Sequence, residues 1–167
     1  MDWKKVWKAS KWPIIIGFLF NLLMLGVSLA ISLNLEATTD SHWLLYLVVF
    51  ILPSLSFLIS MAIYVYGAYR AAKKFQATAL EGGAVAVAAF AIVHTVTTIL
   101  STLASLFMAA STFSDMEGEA VALSLGMLGA MTVFGAIFSY LGLLVAGVGL
   151  CMISGIGIAY WVSRKWW

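Results

Sequence analysis

Ala120–Val162 reads AVALSLGMLGAMTVFGAIFSYLGLLVAGVGLCMISGIGIAYWV, 43 residues without a single Asp, Glu, Lys or Arg. As one helix it would rise about 64 Å, roughly twice what a hydrocarbon core of ~30 Å needs. A run this long and this apolar belongs in lipid, and the chain reads as an all-α, polytopic integral membrane bundle. The acids Asp115, Glu117 and Glu119 precede the run, and Arg164 and Lys165 follow it. That charge step favours one crossing, at about 135–162. Residues 120–134 then form an outer interfacial helix, a re-entrant helix or a protruding extension. Length alone would also permit two crossings joined by a turn near Phe138–Gly142.

Reading outward, the remaining bases fall in two more groups. Lys4, Lys5, Lys8 and Lys11 lie at the N-terminus, and Arg70, Lys73 and Lys74 lie mid-chain. Acidic gaps separate the groups, at Glu36/Asp40 and at Asp115–Glu119. Basic loops are retained on the cytoplasmic side, so all nine bases are expected there, with only Asp2 and Glu81 beside them. This gives four transmembrane helices, or five if 120–162 crosses twice, with N- and C-termini cytoplasmic in the four-span case. The expected spans are 13–35, 43–66, 84–113 and 135–162.

Each boundary has a local reason. Residues 1–12 place Trp3, Val6 and Trp7 on one helical face and Lys4, Lys8 and Lys11 on the other, the pattern of an interfacial basic and aromatic segment. Pro13 suits the first turn of a helix, where its missing N–H costs nothing. The apolar run 13–35 exceeds the roughly 7–15 residues of a cleavable signal core. Pro53, inside span two, should kink it. The Ala-rich stretch after span two should stay helical until Gly82 and Gly83 stop it. Residues 13–167 thus form a single transmembrane domain. Trp12 at one end and Tyr160, Trp161, Trp166 and Trp167 at the other suit the headgroup zone.

Chemistry is sparse. Cys151 is the only cysteine, which excludes an intrachain disulfide, a CxxC pair and quinone-linked disulfide chemistry. No nucleotide-binding loop, HExxH pair, nucleophile elbow or paired catalytic carboxylates occurs. The chain is therefore read as non-enzymatic, without cofactor or metal; Glu36, Asp40 and His42 form a solvated loop rather than a metal site. In span three, His94, Thr98, Ser101 and Ser105 share one face. This candidate polar intramembrane face either packs against a neighbouring helix or lines a path, and Asn21, at similar depth, is the expected partner of His94. In the last span, Gly147, Cys151, Gly155 and Ala159 repeat every four residues, a helix-packing face extended upstream by Gly135, Ser139, Gly142 and Ala146. The partner helix belongs either to this chain or to another.

The expected partners are the lipid bilayer and other membrane subunits or further copies of the chain, not nucleic acid. The bases Lys4, Lys5, Lys8, Lys11, Arg70, Lys73, Lys74, Arg164 and Lys165 should contact lipid headgroups. The expected location is the plasma (cytoplasmic) membrane. The role read from these features is an accessory or structural subunit of a membrane complex or homo-oligomer. The alternative is a small transporter or channel using the His94–Ser105 face.

Overall fold

The computed structural model describes residues 1–35, 51–112 and 119–164. Four helices form within them: α1 (Trp3–Leu35), α2 (Leu52–Phe75), α3 (Ala79–Thr112) and α4 (Glu119–Arg164). Each is long and apolar enough to cross a membrane, over Trp3–Ile31, Leu52–Phe75, Ala79–Met108 and Gly129–Arg164. The chain divides into two compact units, Met1–Val93 with Gly147–Trp167, and His94–Ala146.

In the first unit, α1 begins ten residues before the expected start. Asp2 caps it, its Oδ1 accepting the backbone N–H of Lys4 at 3.0 Å and of Lys5 at 3.3 Å. Pro13 therefore lies inside the helix, not in its first turn. Its ring sits against Gly67, where a Cβ would come within 2.7 Å of Pro13 Cγ. One small position thus admits one rigid ring. Higher up the same crossing, Gly17 faces the ring of Tyr64, and Asn21 meets Ser60. This register makes α1 and α2 an antiparallel hairpin. Pro53 falls in the first turn of α2 as described, and the expected kink depends on residues that precede it. Residues 43–50 of the expected span lie outside the described residues.

The stop after α2 is Gln76, not the glycine pair. Gln76 adopts the left-handed conformation (φ 50°), and Ala77 N–H donates back to Ala71 O at 3.3 Å. Two residues later α3 starts with a reciprocal cap. Thr78 N–H donates to Glu81 Oε2 at 2.8 Å, and Glu81 N–H donates to Thr78 Oγ1 at 3.3 Å. Gly82 and Gly83 lie inside α3 and are buried. They are contact surface rather than breakers: a Cβ at Gly82 would strike Ala159, and one at Gly83 would come within 2.8 Å of Ile156. Tyr64, Ala68, Ala86, Ala89, Phe90, Val93 and Cys151 form the main core cluster, and Val6, Ala9, Ala71, Ala77 and Val85 form a second. Half of these residues are alanines. Cohesion in lipid comes from close backbone approach, since burial from water adds no drive between helices there.

α4 is continuous over 46 residues, more than twice the ~20 that one crossing needs. No turn interrupts Phe138–Gly142, so the two-crossing alternative with its turn there does not hold. In the second unit, the upper part of α3 and the first part of α4 run antiparallel: Thr95 meets Tyr140, and Leu106 lies 3.9 Å from where a Gly129 Cβ would stand.

Candidate functional site

The contacts of the first unit gather four helix ends together. Asp2 N–H donates to Glu81 Oε1 at 2.7 Å, tying the start of α1 to the start of α3. The short 76–78 link brings in the end of α2, and the pairing of Gly82 with Ala159 brings in the end of α4. Lys4, Lys5, Lys8, Lys11, Arg70, Lys73, Lys74 and Arg164 therefore share one end of this unit. Lys165 and the acids Glu36, Asp40, Asp115 and Glu117 lie outside the described residues.

Glu81 organises this end from the first turn of α3, its carboxylate accepting backbone N–H bonds from both Asp2 and Thr78. In the sequence Glu81 stands only as an acid beside the nine bases. The Thr78-x-x-Glu81 spacing is the signal that was available for its capping role.

Aromatic rings line the same end. Trp12 and Tyr66 lie 5.5 Å apart between centroids, and Tyr66 stacks on Tyr69 at 5.7 Å. The Arg70 guanidinium lies 5.1 Å over Trp12, and Lys73 Nζ lies 5.7 Å over Tyr69 while donating to its hydroxyl at 3.3 Å. Arg164 covers Tyr160 at 5.0 Å.

The polar face of α3 is real as a stripe but largely turned inward on its own helix. Ser101 Oγ donates to Thr98 O at 2.9 Å, Thr102 Oγ1 to the same carbonyl at 2.8 Å, and Ser105 Oγ to Ser101 O at 2.9 Å. A hydroxyl has one proton to give, so these groups can now only accept. The His94 ring stacks on Tyr140, centroids 5.5 Å apart and planes 13° from parallel, and the Thr95 and Tyr140 hydroxyls share a 2.8 Å hydrogen bond. Beside them a cleft of about 350 Å³ lies between α3 and α4; Ile99, Leu103, Val133 and Ile137 stand in its lining beside three threonines and Tyr140, and its exposed walls are almost wholly apolar. Tyr140 was missed from the sequence, where it looked like one more aromatic in an apolar run. Asn21 takes a different partner from the one expected: its Nδ2 donates to Ser60 Oγ at 3.0 Å and to Gly17 O at 2.8 Å.

The packing face is brought together in full. Gly147, Cys151, Gly155 and Ala159 are all buried, against α3 of the same chain. A Cβ on Gly155 would stand 3.0 Å from Gly83 Cα, and one on Gly147 would overlap the Phe90 ring. Cys151 Sγ lies 3.3 Å from Met61 Sδ. The upstream extension differs: Gly135, Ser139, Gly142 and Ala146 are exposed, and among the described residues nothing lies within 4 Å of a Cβ at Gly135 or Gly142. Among the described residues, no three His, Cys, Asp or Glu side chains converge as a metal site would require. Compared with protein-family models, curated proteins and solved structures, the chain matches none.

Proposed function

We propose that the protein is a non-catalytic membrane subunit that associates, with further copies or with another membrane protein, through the exposed small-residue face of α4. One observation carries this reading. The two halves of the stripe have the same chemistry, yet Gly147–Ala159 is filled by the chain's own α3 while Gly135–Ala146 is open. Small residues along a lipid-facing helix let a second backbone approach closely, which is how helices associate without a hydrophobic drive. The basic end then faces the cytoplasm of a plasma membrane, following the charge rule.

The test is the mass and composition of the particle extracted in mild detergent. A multimer or a stoichiometric complex is expected for the wild type, and Gly142→Leu should release the monomer. The thermal midpoint of that monomer should hold, because among the described residues nothing lies within 4 Å of a Cβ at Gly142. A monomeric wild-type particle refutes the reading. The His94, Thr95 and Tyr140 cluster at the edge of this largely apolar cleft supports a second reading, a small transporter or channel. It requires solute flux in proteoliposomes that is lost in His94→Ala.

A further inference from the structure

We infer that Arg70 and Lys73 form a headgroup site for one anionic phospholipid on the flank of the α1–α2 hairpin. The two cations are three residues apart on α2 and so project from the same side. Each rests on an aromatic ring, Arg70 over Trp12 and Lys73 over Tyr69, and Tyr66 joins the two rings into a row. Rings of this kind settle at headgroup depth. With its guanidinium 5.1 Å over the indole, Arg70 has five N–H donors in a planar fork, the geometry that matches two phosphate oxygens. Lys73 adds a point charge one turn away.

Charge complementarity identifies the occupant as an anion. Among the described residues, the acids at this end are Asp2 and Glu81, and both are engaged by backbone donors: Asp2 by Lys4 and Lys5, Glu81 by Asp2 and Thr78. The negative end of the α2 dipole offsets only about half a charge. The face of α1 that carries Trp12 identifies the anion as a lipid. Ile16, Leu19 and Leu23 follow Trp12 at helical spacing and are exposed, an apolar track leading away from the cations. A free phosphate has no use for that track, whereas an acyl chain lies along it. The lipid site is independent of subunit assembly and stands or falls without it.

The experiment uses the full chain, delipidated in mild non-ionic detergent, with bound lipid counted by native mass spectrometry across a lipid titration. Phosphatidylglycerol should be retained well above phosphatidylcholine. Arg70→Gln/Lys73→Gln should weaken phosphatidylglycerol about thirty-fold, or about 2 kcal/mol, from the loss of two cations near the headgroup. Lys4→Gln/Lys5→Gln removes the same charge away from the ring row and should change retention less than about three-fold, or about 0.7 kcal/mol. Equal retention of the two lipids by the wild type overturns the proposal, as does equal loss in the two variants. Full displacement of phosphatidylglycerol by millimolar inorganic phosphate would make it an anion site rather than a lipid site. If Arg70→Gln/Lys73→Gln does not fold, Arg70→Lys decides. It keeps the charge and loses the planar fork, so unchanged retention overturns the bidentate contact.

Discussion

Gly155 tests the packing of α3 on α4 most directly. Its absent Cβ would stand 3.0 Å from Gly83 Cα and 3.1 Å from both Gly82 O and Ala86 Cβ. Two of these three neighbours are backbone, which cannot rotate aside. In Gly155→Leu, four heavy atoms must enter a space already too tight for one, so the helices must separate. Overpacking of this kind costs about 3 kcal/mol at the upper end of its usual range. Leucine recovers about 1 kcal/mol because glycine is a poor helix residue. The net loss is about 2 kcal/mol, or about 4–8 °C in thermal midpoint on the scale of domains this size. Gly149→Leu is the matched control: the same change six residues away on the same helix, where among the described residues nothing lies within 4 Å of a Cβ. It should leave the midpoint level or raise it. The assay is thermal unfolding in detergent, followed by tryptophan fluorescence and by loss of the monodisperse particle. A Gly155→Leu midpoint within about 1 °C of wild type would refute the close crossing, and so would an equal fall in Gly149→Leu.

Two further outcomes follow from the hydrogen bonds. Glu81 accepts from Asp2 N–H with one carboxylate oxygen and from Thr78 N–H with the other, whereas glutamine has a single acceptor oxygen. Glu81→Gln should therefore lower the thermal midpoint at pH 7; a midpoint equal to wild type would contradict the lock between α1 and α3. Asn21 and Ser60 join α1 to α2 through one side-chain bond, and a double-mutant cycle with Asn21→Leu and Ser60→Ala should return a coupling near the ~0.6 kcal/mol typical inside bilayers. Zero coupling in that cycle would mean the bond is not held in the folded protein.

Much of the architecture was legible because it depends on local properties. Whether a stretch can sit in lipid is decided residue by residue, through apolar length and the cost of charge, so all four apolar helices and the grouping of the bases could be read directly. The four-residue spacing of Gly147, Cys151, Gly155 and Ala159 likewise marked a packing face. Helix boundaries were less legible. Asp2 starts α1 and Gln76 ends α2 through hydrogen bonds that compete with equally plausible signals at Pro13 and at Gly82-Gly83. In water a glycine pair breaks a helix by its backbone freedom. In a helix crossing it is the surface that admits a neighbour, and which role applies depends on Ala159 and Ile156, more than 70 residues away.

The hydroxyl face of α3 shows the same division. Its period was plain, but whether each hydroxyl points outward or donates to its own carbonyl is a rotamer choice that no spacing encodes. The sequence by itself determined the class of the protein and the clustering of its charge, because transfer into lipid is a sum over single residues. Only the tertiary structure decided which small residues are spent inside the chain and which remain open. It also decided that Asn21 meets Ser60 and that His94 lies on Tyr140. Those outcomes depend on the register of helix against helix, a long-range property set by close packing.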